Sequence, residues 1–185
     1  MKKTLILSAA LALAGLSTSA IAAEGHGFLR GEIGSSDVDV DFAGVGSTSD
    51  DDSAALFSGG YWFNPNIAVE GRVGSLYNKD LGDDQEADLV ILGAGVVGKT
   101  NFGPDNTGFF ITGRAGIARM TAQVREDTFD VVDDESSTKM YYGVGIGYDF
   151  SNRWGLGLNY DRYQGDFSGA DVDVDTLTVS GEWRF

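Results

Sequence analysis

The chain has 185 residues, including 27 glycines, two prolines and no cysteine. Without cysteine it can form neither a disulfide framework nor a thiolate metal site. Its 13 lysines and arginines against 28 aspartates and glutamates give a net charge of −15, which excludes nucleic-acid binding through neutralised phosphates.

The N-terminus has the pattern of a secretory signal peptide. A short basic start precedes an apolar run over 5–16, and residues 20–22 (Ala-Ile-Ala) form a cleavage site. The apolar run is too short to span a bilayer as a helix. We therefore expect residues 1–22 to be removed during export, with cleavage after Ala23 as the alternative, and residues 23–185 to form a single domain.

Eight segments of the remaining chain alternate apolar with polar or small residues, which is the period of a β-strand. Each has roughly 9 to 13 residues, the length that a tilted strand needs to cross a membrane. The predicted strands cover 28–36, 53–63, 67–77, 88–99, 109–121, 139–150, 154–163 and 174–185.

The predicted connections alternate between short and long. The short ones are built from Asn, Pro, Asp and Ser, which are typical of tight turns, whereas the long ones are rich in acidic residues. Both ends of the domain lie on the side of the short turns, so the acidic loops share the opposite side. The short connections are 64–66, 101–107 and 151–153, and the long ones are 37–52, 78–87, 122–138 and 164–173.

The two faces of the predicted strands suggest a sheet that faces lipid. Residues 60–69 and 147–156 repeat one hairpin pattern: an aromatic pair, a polar turn and an apolar strand. In this register one face is apolar and aromatic, and the other face carries charges and glycines. A soluble sandwich would instead have apolar inner faces, so this pattern fits a sheet whose apolar face meets lipid. If the sheet closes on itself, the charged face lines an enclosed lumen. The predicted lumen charges are Arg30, Glu32, Glu70, Arg72, Arg114, Asp149, Asp161, Glu182 and Arg184.

The strand predicted over 88–99 has no clear alternation. Residues 89–92 are Leu-Val-Ile-Leu, so either parity could face outward. The sequence does not decide which side chains of this strand point outward.

The final segment, 176–185, alternates up to the aromatic residues Trp183 and Phe185. It resembles the closing strand of bacterial outer-membrane β-barrels, and the whole mature chain resembles the small OmpA-like and OmpX-like barrels. The resemblance implies an all-β fold: an eight-stranded antiparallel transmembrane β-barrel with short periplasmic turns and longer acidic extracellular loops. It also implies a Gram-negative outer membrane, contact with its lipids and lipopolysaccharide, and recognition of the terminal motif by the barrel-assembly machinery.

Some small barrels of this kind are enzymes, namely lipid A deacylases and palmitoyltransferases, which use a histidine with a serine. The single histidine here, His26, lies at the periplasmic rim, where a solvated role is expected. Residues 93–98 match Gly-x-Gly-x-x-Gly, but within a strand and without a following helix, so no dinucleotide cofactor is expected. The sequence predicts no catalytic residue and no cofactor.

Three functional classes remain, of which a lipid-modifying barrel enzyme has the least support. The lumen carboxylates alternate with arginines, which suggests ion pairs that fill the narrow interior of an eight-stranded barrel. This favours a non-enzymatic structural or surface-interaction protein that presents acidic loops. The alternative is a narrow pore or a hydrophobic-substrate channel of the OmpW kind, which would need a continuous path through the lumen.

The sequence Asp-Val-Asp-Val-Asp occurs twice, at 37–41 and 171–175. Neither copy has the glycine and glutamate of an EF-hand loop, so that calcium motif is excluded. Parity in neighbouring strands places both sets of aspartates outward as one acidic seam, with the valines inward. The seam is either a hydrated rim or a place where divalent cations, shared with lipopolysaccharide phosphates, relieve repulsion between carboxylates.

Overall fold

The structure, a computed structural model, contains all eight predicted strands. The predicted signal peptide lies outside the described residues, which are 25–42, 46–82, 85–126, 130–167 and 170–185. The strands are β1 (His26–Phe42), β2 (Gly46–Asn64), β3 (Ile67–Gly82), β4 (Gln85–Asn101), β5 (Gly108–Glu126), β6 (Asp130–Asp149), β7 (Trp154–Phe167) and β8 (Ala170–Arg184).

The strands form one closed antiparallel barrel in chain order, which confirms the predicted fold class. β1 pairs with β8 from Phe28 opposite Arg184 up to Phe42 opposite Ala170, so neither terminal strand is left as an edge. Among the residues described, the structure has no helix long and apolar enough to span a bilayer.

The three short connections are tight turns at one end of the barrel. Asn64 Oδ1 accepts hydrogen bonds from the backbone N–H groups of Asn66 (2.8 Å) and Ile67 (2.9 Å). Ser151 Oγ has the same role in a second turn. The third is a 3₁₀ turn over Pro104–Asn106. All three turns lie where they were predicted. In the first two a short polar side chain replaces the missing ladder partners of the backbone, whereas the third is closed by backbone hydrogen bonds such as Thr107 N–H to Pro104 O.

The strands are longer at the opposite end than the sequence predicted. Much of the four segments expected as long loops is paired strand, for example up to Phe42 opposite Gly46 and Glu126 opposite Asp130. On β1 and β8, where the structure describes side chains beyond the apolar band, the alternation continues with inverted polarity, so a search for apolar outward faces ends these strands too early. The predicted loops are therefore wrong in extent, and the residues between strands, 43–45, 83–84, 127–129 and 168–169, lie outside the described part of the chain.

The wall divides near this end. Within the described residues, the β2–β3 ladder ends at Ala55 opposite Ser75, and the β6–β7 ladder ends at Tyr141 opposite Tyr163. The other six ladders continue toward the strand tips. Two four-stranded sheets, β7-β8-β1-β2 and β3-β4-β5-β6, therefore project beyond the barrel.

The interior has three layers. Phe28, Trp62, Ala68 and Val97 form a small apolar cluster at the end with the short turns. Charged side chains fill the middle of the barrel. A larger apolar cluster fills the other end and contains Ala54, Leu56, Leu76, Leu89, Ile91, Ala118, Met120, Tyr141, Tyr163 and Val174, with Val38 and Val172 packed against it.

These layers explain the facing of β4. Its odd-numbered residues point inward: Leu89, Ile91 and Val97 are buried, whereas Leu92 and Val96 are 50% and 55% exposed on the outer wall. The strand is apolar on both faces because its inner face packs into two apolar layers and its outer face is expected to meet lipid. Parity alone therefore could not assign it.

Candidate functional site: the lumen charges and the acidic outer wall

The structure buries all nine predicted lumen charges inside the barrel. Each lies on the inward face of its strand, and barrel closure brings together residues far apart in the chain. β1 supplies Arg30 and Glu32, β3 supplies Glu70 and Arg72, β5 supplies Arg114, β6 supplies Asp149, β7 supplies Asp161, and β8 supplies Glu182 and Arg184.

The cluster nearer the short turns centres on two arginines. Arg30 donates to Glu182 Oε2 through Nη2 (2.7 Å) and to Glu70 Oε2 through Nη1 (2.9 Å). Arg184 donates to Glu182 Oε1 and to Asp149 Oδ1, both at 2.6 Å. Each guanidinium thus bridges two carboxylates, so these buried charges are compensated by neighbours.

A second cluster lies above the first, toward the larger apolar layer. Glu32 accepts from Arg114 Nη1 at 2.8 Å and from Arg72 Nη2 at 3.3 Å. Arg114 also pairs with Asp161, and Arg72 lies 3.7 Å from the same carboxylate. A contact of 3.7 Å between Arg30 and Glu32 joins the two clusters into one network.

Lys99 belongs to this network but was missed by the sequence analysis. Its Nζ lies 2.9 Å from Asp149 Oδ2 and 4.7 Å from the centre of the Trp62 ring. The open facing of its strand hid it, although it shares its parity with Val97. With Lys99 included, the buried charges among the described residues are five cations and five carboxylates.

Two tyrosines that the sequence analysis also missed cover the second cluster. The Arg72 guanidinium lies 5.0 Å from the Tyr141 ring centre and 5.6 Å from that of Tyr163, and the two rings stack. Tyr141 OH donates to a Glu70 oxygen at 3.0 Å. Parity could have found both, since Tyr141 lies an even number of residues from Asp149 and Tyr163 from Asp161.

Glycines opposite the acids leave room for them. A Cβ on Gly143 would meet Asp161 Oδ1, and a Cβ on Gly155 would meet Asp149 Oδ1. In contrast, a Cβ on the outward Gly113 would have nothing within 4 Å. The inward glycines are therefore part of how the lumen accommodates its large charged side chains.

The outer wall is an apolar band with an aromatic belt at the short-turn end. In this belt the Trp154 and Trp183 ring centres lie 5.9 Å apart, and those of Trp183 and Phe185 lie 5.1 Å apart. The two residues of the predicted insertion signal thus sit together on the wall. The Phe185 N–H also donates to Gly27 O at 2.9 Å, beside the β1–β8 seam.

Above this band the two Asp-Val-Asp-Val-Asp segments pair directly. Asp37 lies opposite Asp175, and Asp39 lies opposite Asp173. Asp37 and Asp39 are exposed, whereas Val174 is fully buried. For the side chains that the structure describes, this confirms an outward acidic seam with valine on the inner face.

Arg162 on β7 neutralises part of the seam. It donates to Asp173 at 2.7 Å and to Asp175 at 3.3 Å. At Asp37, loss of solvation and repulsion from nearby aspartates, Asp51 first, raise the pKa of the carboxyl above its ordinary value. The seam therefore keeps uncompensated repulsion on its β1 side.

The remaining chemistry of the described residues is sparse. His26 is exposed at the start of β1. Across the described ranges, no group of three or more histidines and acids is arranged to hold a metal ion. The lumen carboxylates are held by arginines and Lys99, an arrangement suited to fixing charge in place.

Solved structures of the same fold share little sequence with this chain. Ail, the attachment invasion locus protein of Yersinia pestis, in complex with the heparin analogue sucrose octasulfate, is 17% identical over 86% of this chain and 99% of that chain, with a TM-score of 0.58. Neisserial surface protein A is 15% identical over 86% and 97%, with a TM-score of 0.58. OprG from Pseudomonas aeruginosa is 14% identical over 90% and 99%, with a TM-score of 0.55.

These low identities show the fold alone. Comparison of the sequence with family models assigns the chain to a family. No curated protein matches the chain in a sequence search. The profile of the outer membrane protein beta-barrel domain matches residues 8–185, which is nearly the whole sequence. Together with the closed barrel of eight strands, this match shows that the chain belongs to the outer membrane protein beta-barrel domain family.

Proposed function

We propose that this protein is a non-enzymatic outer-membrane barrel that acts through its surface and not through its lumen. The observation that carries the proposal is the filled interior, in which a charged network lies between two apolar layers. An eight-stranded barrel is only wide enough to be filled by side chains. Opening a path would separate buried ion pairs, which is costly. The filled interior therefore supports a closed scaffold and argues against a pore.

The projecting sheets are the proposed interaction surface. Their β8–β1 seam carries paired aspartates on its outer face, and the whole chain has a net charge of −15. Such a field attracts cationic partners and repels polyanions. The Ail structure contains a sulfated heparin analogue, whereas the acidity of this chain supports a basic protein or peptide as the partner.

The other proposed partners follow from the wall. The apolar band supports contact with outer-membrane lipids and lipopolysaccharide, and Trp183 and Phe185 are proposed to be read by the barrel-assembly machinery. Export through the signal peptide predicted over 1–22 belongs to the same proposal. A divalent cation at the seam gains no support among the described residues, since Arg162 already pairs with Asp173 and Asp175 there.

Electrical recording tests the closed lumen. Purified protein reconstituted in planar bilayers should give no steady single-channel steps, because ion pairs and two apolar layers of the described residues occupy the lumen. A general diffusion porin, reconstituted in parallel, shows that channels are detected. Steady, reproducible steps from the wild-type protein would contradict the proposal and favour the narrow pore.

A binding measurement tests the acidic surface. The full protein in nanodiscs should bind a lysine-rich peptide in a salt-dependent way, and heparin should not bind. The double variant Asp37→Asn, Asp39→Asn should weaken binding of the peptide, whereas Asp105→Asn, in an exposed turn at the other end, should not. Equal binding by both variants would show that the seam is not the surface involved.

A further inference from the structure

A small cavity lies inside the barrel at the level of the lower ion-pair cluster, which is the cluster of Arg30, Arg184 and their carboxylates nearer the short turns. Its volume is about 20 Å³, and its lining includes Trp62, Lys99, Phe110, Asp149, Glu182 and Arg184. A water molecule needs about 10–15 Å³ of such space and two to four polar partners. The cavity is large enough for one water molecule.

Trp62 supplies a donor that the protein itself does not satisfy. The side chain is 4% exposed, and its Nε1 is buried without a hydrogen-bond partner among the described residues. An indole N–H can only donate, and buried polar groups of this kind are paired as a rule. Lys99 cannot serve, because it is a cation that lies over the ring face at 4.7 Å from the ring centre.

The neighbouring carboxylates can accept a further hydrogen bond. Among the described contacts, Glu182 Oε1 accepts from Arg184 Nε, and Asp149 Oδ1 accepts from Arg184 Nη2. A carboxylate oxygen has two lone pairs, so each can accept from one more donor. The cavity thus has an unsatisfied donor and two carboxylates with spare capacity in its lining.

We infer that this cavity holds one ordered water molecule, which accepts from Trp62 Nε1–H and donates to the carboxylates of the lower cluster. A neutral molecule fits this cavity better than an anion, because the buried charges among the described residues already balance, with five cations and five carboxylates. An added anion would leave one uncompensated charge in an interior of low dielectric. The water links the apolar cluster around Trp62 to the ion-pair network above it.

Nuclear magnetic resonance of the full protein in nanodiscs tests this inference on the unmodified chain. The chain has three tryptophans, and Trp154 and Trp183, which are 56% and 41% exposed on the outer wall, serve as internal controls. Each indole signal is assigned by its own Trp→Phe variant. The Trp62 Nε1 proton should show a through-space cross-peak to water that stays constant as the pH is raised. Cross-peaks caused by base-catalysed exchange would grow with pH.

Two further measurements separate a bound water from other sources of the signal. Thr112→Val and Ser180→Ala remove hydroxyl groups from the lining, and the Trp62 cross-peak should persist in both. Replacement of chloride by a larger anion at constant ionic strength should leave the Trp62 signal unchanged. A missing cross-peak, a cross-peak lost with either hydroxyl, or a signal that depends on the anion would each overturn the inference.

Discussion

Lys99 and Gly143 contribute to the lumen in opposite ways, one by adding a charge and the other by leaving room for one. Lys99 pairs with Asp149 at 2.9 Å, while the missing Cβ of Gly143 leaves space for the Asp161 carboxylate. Both residues therefore act on acids of the same network. Their substitutions should weaken the barrel for different physical reasons.

Replacement of Lys99 by methionine should destabilise the barrel by about 2–3 kcal/mol, since a buried carboxylate loses one of its cations. Arg184 still pairs with Asp149 in the variant, at 2.6 Å in the present structure, which limits the loss. Equilibrium unfolding in urea from lipid vesicles measures the effect. Arg153→Met, in an exposed turn, is the matched control. Equal stability of the two variants would show that Lys99 is dispensable.

Gly143→Ala should also destabilise the barrel, by about 1–3 kcal/mol, because the new methyl group would overlap Asp161 and displace it from Arg114. Gly113→Ala is the control, since its Cβ would point into open space. The same unfolding measurement compares the two. A Gly143→Ala variant as stable as Gly113→Ala would mean that the Asp161 side chain can move without cost.

Among the strands, the β1–β8 pair combines closure of the barrel with repulsion between like charges. Its ladder runs unbroken from Phe28 opposite Arg184 to Phe42 opposite Ala170, yet it holds Asp37 opposite Asp175 and Asp39 opposite Asp173. Like charges directly opposite each other destabilise a sheet. Arg162 offsets this at Asp173 and Asp175, but loss of solvation together with repulsion from Asp51, Asp39 and Asp175 still raises the pKa of Asp37 above its ordinary value.

Mild acidification should therefore stabilise this seam. A carboxyl whose pKa is raised by folding binds its proton more readily in the folded state, so stability increases as the pH falls through the raised pKa toward the ordinary value. The thermal midpoint of the wild-type protein should rise more between neutral and mildly acidic pH than that of Asp37→Asn. A larger rise in the Asp37→Asn variant would contradict this sign.

Sequence reasoning succeeded where the evidence was local and failed where it was not. Period-two parity predicted eight strands and the inward positions of side chains such as Arg72 and Asp161, because alternation of faces needs no knowledge of the partner strand. It could not assign β4, which is apolar on both faces, and so missed Lys99. It ended the strands too early because the polarity inverts on β1 and β8. The division of the wall beyond Tyr141 and Tyr163 depends on which strands pair, and one strand does not encode this.

At the scale of the whole molecule, closure should give resistance to detergent. A closed antiparallel barrel pairs its backbone within the wall and exposes no terminal strand. The protein should therefore stay folded in SDS until it is heated, and unheated and boiled samples should migrate differently in gels. Identical migration of the two samples at neutral pH would contradict a stable closed barrel.

The inverted polarity of the upper wall also determines how deeply the molecule is immersed. On β8, Leu177 is 51% exposed at the top of the apolar band, and the next outward residue is Asp175, which pairs with Arg162. A vertical shift of one residue pair would bring carboxylates into hydrocarbon on one side or lift apolar side chains into water on the other. The barrel should therefore tolerate little hydrophobic mismatch, and a thicker bilayer should deform around it before the protein changes its depth.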